Sequence, residues 1–408
     1  MSAAPRVLGF DPGTVTTDLC VLAGGRLEHA ASVPTSDLAS DPRALLDAVR
    51  ALGAFDLIAA PSGYGLPLLR GEQVDERALR TAFLAPPGEA SGILGLRRAA
   101  AALAEAGQPL VFLPGVVQLT TVPAHRKVNR VDLGTADKVC AAALAVAEQA
   151  LRREIAHAAT SLILVEMGGA FTAVLAVEGG AIVDGVGGSS GPLGFRAVGS
   201  LDGEAAVLAG EIPKGALFTG GAAWVAGEPD IQPADWEARS ARASEADDAS
   251  SAVAPDARAQ PRRAAPAREA RLRLSREAYL EGIVKAVAAL STSAPSAREV
   301  ALSGRLAWLP RLATDLTRRL ARTAPGLEVR PPAARRTVAE PLTGAGVTPG
   351  TAPEAALGAA LIADGLCGGS QAPLVAALRL AESSGSVLDH LYWPPARAGA
   401  DRFVASFA

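Results

Sequence analysis

Asp11 and Glu166 occupy equivalent positions in two similar stretches of the sequence. Each carboxylate ends an apolar run and is followed, two residues later, by a glycine and then by a second apolar run. A glycine turn of this kind can point backbone N–H groups at a phosphate, and the neighbouring carboxylate can hold Mg²⁺ directly or through water. We therefore predict that Asp11 and Glu166 lie close to a magnesium ion, where Glu166 can also act as a general base.

The residues around these two carboxylates are suited to phosphate oxygens. Asp-Pro-Gly at 11–13 is also an ordinary turn, so the first stretch alone does not establish a phosphate site. Two such loops facing each other would hold the β- and γ-phosphates of a nucleotide from both sides. The predicted phosphate ligands are Gly13, Thr14, Thr16, Thr17, Gly168 and Gly169.

A third stretch, at 300–305, joins a strand to a helix through glycine. Gly304 would let the backbone approach an adenine or a ribose, and the start of the following helix favours a phosphate. Arg305 either stacks on the adenine or is an exposed first residue of the helix. Ser303, Gly304 and Arg305 are therefore the predicted nucleoside contacts.

Further charged residues are predicted to face a phosphoryl acceptor. Asp132 and Asp137 flank the start of a helix, so each either caps that helix or serves as the base for the acceptor. Arg126 and Arg130 would share one face of a helix and either form a solvated cluster or stabilise the transferring phosphoryl group. Arg196 follows a Gly-Pro turn. With Glu166, the predicted catalytic residues are Asp132, Arg126, Arg130 and Arg196.

The elements that must position these residues form a repeated α/β pattern. Each half of the chain begins with a strand meander around a glycine turn and continues with alternating helices and strands. Two helices rich in small residues, at about 134–150 and 354–365, would cross closely and form a hinge under a nucleotide cleft. The residues themselves show no clear repeat.

A chain of 408 residues is longer than one hydrophobic core usually serves. We predict an N-terminal domain at 1–158, a C-terminal domain at 159–385, and a C-terminal segment at 386–408 that packs back on the first domain. The stretch 227–271 has little apolar periodicity and many charged and small residues, so it is predicted to be a disordered insertion.

Charge and composition argue against several classes of partner. The net charge of −3 provides no bulk attraction for nucleic acid or an anionic membrane. No apolar run has transmembrane length, and the N-terminus does not resemble a signal peptide. Three scattered cysteines fit neither a disulfide framework nor a metal site. We expect a cytoplasmic protein that binds a small-molecule acceptor, without nucleic-acid or membrane partners.

The order and spacing of these motifs resemble the actin-like ATPase superfamily of acetate and sugar kinases, heat-shock chaperones and actin. In that pattern residues 7–18 and 164–177 resemble the two phosphate loops, and 299–306 resembles the adenosine motif. The two helices rich in small residues resemble the connecting helices. The resemblance implies two duplicated ribonuclease-H-like domains that close over ATP and Mg²⁺.

Within the superfamily, residues 171–201 are similar to butyrate kinases. They contain Val-Asp-Gly at 183–185, Gly-Pro-Leu-Gly-Phe-Arg at 191–196 and Gly-Ser-Leu at 199–201. With residues 60–65 and 132–138, the whole chain resembles a group of predicted butyrate kinases. The resemblance implies an ATP-dependent phosphotransferase acting on a small metabolite such as a short-chain carboxylate, in a homodimer.

The chain departs from butyrate kinases at three positions. It has Asp11 where they have Asn, Glu166 where they have His, and Ser62 where they have an Arg. Because the arginine fork is suited to a carboxylate, its loss argues against butyrate. A carboxylate at 166 in place of an imidazole suits metal–water positioning or a general base, which favours a hydroxyl group or water as the acceptor. An ATP-hydrolysing switch or a nucleotide-binding regulator acting on a protein partner is the alternative.

Overall fold

The computed structural model describes residues 4–13, 16–41, 43–85, 96–252, 267–332, 338–339 and 353–407. The strands are β1 (Arg6–Pro12), β2 (Thr16–Ala23), β3 (Arg26–Pro34), β4 (Leu57–Pro61), β5 (Leu69–Arg70), β6 (Leu110–Leu113), β7 (Leu162–Met167), β8 (Thr172–Glu178), β9 (Ala181–Val186), β10 (Glu299–Ser303) and β11 (Glu328–Arg330).

The α-helices are α1 (Thr35–Ser40), α2 (Ala44–Ala51), α3 (Glu76–Phe83), α4 (Leu96–Glu105), α5 (Ala124–Lys127), α6 (Ala136–Arg153), α7 (Gly203–Ala209), α8 (Ala222–Val225), α9 (Pro233–Ala252), α10 (Ala267–Ser291), α11 (Pro310–Thr323), α12 (Glu354–Leu366), α13 (Ala372–Leu378) and α14 (Pro394–Ala405). Short 3-10 helices include Lys214–Phe218 and Arg305–Trp308.

The strands form two sheets with the same plan, as the repeated pattern in the sequence predicts. Their orders are β3-β2-β1-β4-β6-β5 and β11-β10-β7-β8-β9. In each sheet an antiparallel meander of three strands is extended by two strands that run parallel to the first strand of the meander. The first sheet has one more strand, the short β5, which pairs antiparallel with β6. The nearly continuous apolar runs of β1 and β7 are consistent with strands that are covered on both faces.

The helices α6 and α12 cross so closely that only small residues fit between them. A Cβ atom on Gly358 would lie 1.9 Å from the carbonyl oxygen of Cys140, and one on Gly9 would lie 2.2 Å from the backbone N of Ala360. The helix α12 therefore packs against both α6 and β1, and all three elements contribute to one core. This is the close crossing predicted for the two helices rich in small residues.

The prediction of disorder at 227–271 is wrong for the described part of that stretch. Residues 233–252 form α9, and the indole Nε1 of Trp236 donates to Ser275 Oγ at 2.9 Å in the core of the second half. Glu237 Oε1 accepts from two backbone N–H groups at the start of α11, at 2.8 and 3.0 Å. One buried tryptophan and one capping carboxylate thus anchor a helix that lacks apolar periodicity. Residues 253–266 lie outside the described residues.

The C-terminal segment contacts the first half of the chain. Val387, Leu388 and Ala400 form a small apolar cluster with Val117. The Oδ1 atom of Asn129 accepts from the two backbone N–H groups of residues 392 and 393 at 2.7 and 2.8 Å. None of the helices that the structure describes is both long and apolar enough to cross a membrane.

Candidate functional site

A cleft of about 750 Å³ lies between the two sheets and receives residues from both halves of the chain. The carboxyl ends of β1, β7 and β10, together with the first turns of α6 and α12, contribute to its wall. Its charged lining residues are Asp11, Asp18, Asp132, Asp137, Lys138, Glu166, Arg305 and Glu354.

Asp11 stands at the end of β1, directly across the sheet from Asp18 on β2. Its Oδ1 atom is buried and has no hydrogen-bond partner among the described residues. Removal from bulk water raises the pKa of Asp11 well above its usual range, and the charges of Asp137, Asp18 and Glu166 raise it further. The glycine-turn pattern did not predict Asp18 as a site residue, although the alternation of side chains along β2 places it in the cleft.

Lys138 neutralises part of this negative charge. Its Nζ atom lies 2.5 Å from Asp137 Oδ2 and 3.1 Å from Glu166 Oε2. Burial opposes its charged form, but the carboxylates of Asp137, Glu166 and Asp11 prevail and raise the pKa of Lys138. Burial also raises the pKa of Glu166, an effect that Lys138 partly offsets. The sequence contained a signal for this group, because Asp137-Lys138 is a lone charged pair entering a run of small residues.

The pKa of Asp137 is shifted in the opposite direction from that of Glu166. Burial alone would raise the pKa of Asp137, yet the Lys138 ammonium and a hydrogen bond from Thr135 Oγ1 hold it below its usual range. Asp137 is therefore the ionised partner that keeps Lys138 charged.

Gly304 lets the loop after β7 and the β10 junction approach each other. Its φ angle of 84° is in the left-handed region, and a Cβ atom there would lie 2.6 Å from Glu166 Oε1. Glu354 Oε2 accepts from Ser303 Oγ at 2.5 Å and from Gly304 N at 2.8 Å. The start of α12 is thus tied to the glycine junction.

Most of the predicted phosphate and nucleoside residues line this cleft. They are Gly13, Thr16, Gly168, Gly169, Ser303, Gly304 and Arg305. Trp308, which is 50% exposed, joins them at the cleft wall. Trp308 was not among the predicted site residues, although its position three residues after Arg305 places it in the same 3-10 helix.

One of the predicted threonines, Thr17, is not in the cleft wall. Thr17 is fully buried, its Oγ1 has no hydrogen-bond partner among the described residues, and it is not a lining residue. Because strand residues alternate between faces, Thr16 and Asp18 face the cleft and Thr17 faces the opposite side. Thr14 lies outside the described residues.

Asp132 connects the loop before α6 to the loop after β9. Its Oδ1 accepts from Gly134 N at 3.1 Å, and its Oδ2 accepts from Ser189 N and Ser189 Oγ at 2.9 and 3.0 Å. Burial raises the pKa of Asp132, and these hydrogen bonds partly offset the shift. Asp132 therefore lies in the cleft wall, as predicted, and also holds the two halves together.

The three predicted acceptor arginines do not line the cleft. Arg126 Nη1 donates to the carbonyl oxygen of Val183 at 2.7 Å. Arg196 donates through Nη1 and Nη2 to backbone carbonyl oxygens of residues 229 and 231, and it lies over the ring of Phe195. Arg130 is exposed. These guanidinium groups thus lie at backbone carbonyls, at Asp184 Oδ2 (3.6 Å from Arg126 Nε) and in solvent, and the structure does not bring them to the cleft wall.

The donor set is consistent with Mg²⁺ bound together with a nucleotide. Among the described residues, no group of three or more His, Cys, Asp or Glu side chains is placed to hold a metal ion. Mg²⁺ in proteins usually needs only one or two carboxylates, completed by water and phosphate oxygens. The unpartnered Oδ1 of Asp11 is the atom best suited to such an ion or to its water.

Comparison with solved structures identifies the fold. An acetate kinase from Entamoeba histolytica aligns with a TM-score of 0.51 at 10% identity, covering 78% of this chain and 87% of that one. A propionate kinase from Francisella tularensis subsp. tularensis SCHU S4 aligns with a TM-score of 0.52 at 12% identity, covering 78% and 88%. The chain therefore has the actin-like ATPase fold, which confirms the predicted fold class.

Sequence comparisons provide a family without an assigned activity. No curated protein matches the chain. The model of a family described as "Protein of unknown function (DUF1464)" matches residues 9–393, which is almost the full length.

Proposed function

The chain belongs to the DUF1464 family, and we propose that it is an ATP-dependent phosphotransferase that acts on a small metabolite in the cleft. The observation that carries this proposal is the buried, unpartnered Oδ1 of Asp11, beside Lys138 and between glycine turns from both halves of the chain. Such a site holds charge and backbone N–H groups in place for phosphoryl transfer, in which positioning and electrostatics supply most of the catalysis.

The cleft residues divide into three groups under this proposal. Gly13, Thr16, Gly168 and Gly169 would hold phosphate oxygens, and Gly304 with Arg305 and Trp308 would hold the nucleoside. Asp11, with Glu166 nearby, would hold Mg²⁺ directly or through water. When bound, the ion would neutralise charge on the β- and γ-phosphates.

Lys138 and Asp132 would act on the transferring group and the acceptor. The Lys138 ammonium, held by two carboxylates, would face the incoming phosphate charge without needing to move far. Asp132 has an elevated pKa and would accept a proton from an acceptor. The likeness to butyrate kinases in residues 171–201 supports a short-chain carboxylate, whereas the positions of the three arginines support an uncharged acceptor.

A thermal-shift and turnover experiment tests the proposal. We expect MgATP and MgADP to raise the unfolding temperature, and Asp11→Asn to remove the Mg²⁺-dependent part of this rise. The matched control is Asp202→Asn. Asp202 is the N-cap of α7 and does not line the cleft, and asparagine preserves the cap. An unfolding temperature that no nucleotide changes would refute the proposal.

A second candidate is an ATP-hydrolysing switch that acts on a protein partner. The observation that favours it is an exposed apolar pair on α7, where Val207 and Leu208 are 76% and 88% exposed. Under this alternative, ATP turnover would not depend on any small acceptor and would respond to a protein. The homodimer implied by the likeness to carboxylate kinases is a separate proposal, which light scattering of the full chain tests.

A further inference from the structure

One end of the cleft is aromatic, and both halves of the chain contribute to it. We call the lining side chains of Tyr64, Phe171 and Phe218 the aromatic end, and Phe83, which is fully buried, belongs to the core beside it. The rings of Phe171 and Phe218 meet edge to face with centroids 4.9 Å apart. Phe83 packs so close to Gly63 that a Cβ atom there would lie 2.8 Å from its ring.

Asp132 lies next to this aromatic end. The charge of Asp132 contributes to the raised pKa of Tyr64, after burial. Its hydrogen-bond partner Ser189 follows Gly188, where a Cβ atom would lie 2.5 Å from Phe171 Cβ. An ionised carboxylate can accept about four hydrogen bonds, and Asp132 accepts three from protein groups. One acceptor position therefore remains on a carboxylate that borders an apolar surface.

The segment that carries Phe218 also reaches the first half of the chain. Lys214 Nζ donates to the carbonyl oxygens of Phe83 and Leu84 at 2.5 and 2.9 Å. Lys214 and Phe218 begin and end the same 3-10 helix. This contact holds the two walls of the aromatic end together and leaves the Lys214 ammonium on backbone carbonyls rather than in the cleft.

The described lining residues provide no cation for an anionic acceptor. Lys138 and Arg305 are the cations in the part of the lining that the structure describes. Lys138 is bound to Asp137 and Glu166, and Arg305 directly follows Gly304 at the nucleoside end. A carboxylate placed beside Phe171 would lose its hydration without gaining an ion pair, and it would face Asp132.

On the basis of the proposed phosphotransferase activity, we propose that the acceptor is an uncharged alcohol with an apolar ring face. The ring packs in the aromatic end and the hydroxyl group donates to Asp132. The hydroxyl oxygen forms a bond to the γ-phosphorus of ATP while the bond to the β,γ-bridging oxygen breaks and ADP leaves. The hydroxyl proton passes to the carboxylate of Asp132 and then to water.

Matched pairs of probes test this assignment in the full-length protein with MgATP. The pairs are benzyl alcohol with benzoate and glucose with glucuronate, so each pair differs mainly in charge, and the two pairs distinguish an aromatic alcohol from a sugar. We expect at least one alcohol to raise ADP formation about tenfold over its acid partner. An acid that equals or exceeds its alcohol, or failure of both alcohols, would overturn the proposal.

A charge introduced at the aromatic end provides a second, independent readout. Phe218→Arg places a guanidinium group against the ring of Phe171, and we expect it to raise the acid-to-alcohol turnover ratio about tenfold or more. Phe218→Leu is the control and should leave that ratio unchanged. An unchanged ratio in a folded Phe218→Arg protein would place the acceptor elsewhere. Failure of MgATP to bind the natural chain would instead refute the phosphotransferase activity itself.

Discussion

Lys138 Nζ lies 3.1 Å from Glu166 Oε2, and this contact joins the first connecting helix to the end of the second sheet. Both side chains are largely buried, so their mutual attraction is poorly screened by solvent. Asp137 completes the group at 2.5 Å from the same nitrogen. One ammonium therefore balances carboxylates from both halves of the cleft.

Replacement of Lys138 by Met should destabilise the protein by about 3 kcal/mol or more, because it leaves Asp137 and Glu166 without their counter-charge. Chemical denaturation measures the effect. Lys285→Met is the matched control, since Lys285 pairs with Glu281 on an exposed helix face where solvent screens the attraction, and this substitution should cost far less stability. Equal decreases in the free energy of unfolding of the two variants would contradict the role assigned to Lys138.

Asp11→Asn should make the ligand-free protein more stable, and the gain should depend on pH. The folded-state pKa of Asp11 is above its unfolded value. The contribution of Asp11 to stability is therefore fully present at pH values below its pKa in the unfolded chain. It is lost as the pH rises through the pKa of Asp11 in the folded protein. The unfolding temperature of the variant should exceed that of the natural chain by about 2 °C near pH 8.

The same comparison near pH 4 provides the control for Asp11→Asn. At that pH the natural chain keeps a proton on Asp11, so the difference in unfolding temperature should shrink. A variant that is less stable than the natural chain at both pH values would show that the Asp11 carboxylate has a structural partner.

Arg196→Met should reduce stability and leave acceptor binding unchanged. The variant loses hydrogen bonds to two backbone carbonyl oxygens, which should cost about 1–3 kcal/mol. The KM for any acceptor that supports turnover should stay within about twofold, because Arg196 is outside the cleft. Arg130→Met, at an exposed position, is the control and should change neither stability nor KM. A KM that only Arg196→Met raises would indicate that Arg196 contacts the acceptor.

Gly358→Ala should be strongly destabilising because its Cβ atom would lie 1.9 Å from the carbonyl oxygen of Cys140. Overpacking of a tight core contact costs about 1–3 kcal/mol, and the free energy of unfolding measures it. Gly203→Ala is the control, since a Cβ atom there meets no atom within 4 Å. A neutral Gly358→Ala variant would mean that α6 and α12 can separate without loss of stability.

The fold was predictable because strand meanders around glycine turns are a local pattern that the chain contains twice. The glycine loops that line the cleft were predictable for the same reason. The positions of the three arginines were not predictable, because a sequence shows a guanidinium group but not which carbonyl oxygens surround it, as Arg126 and Val183 illustrate. The burial of Thr17 was not predictable, because the phase of a short strand decides which of two neighbouring side chains faces the cleft. Lys138 was missed because its partner Glu166 is close only in the folded chain.

The packing of α12 on β1 has a consequence for the order in which the chain folds. The core that covers Gly9 and its neighbours includes residues 356–363, which are synthesised long after β1. Contacts so distant in sequence form slowly, and an incomplete first sheet exposes apolar surface during synthesis. The first half of the chain is therefore completed only after α12 has been synthesised, so a ribosome-bound chain lacking α12 should depend on chaperones or aggregate.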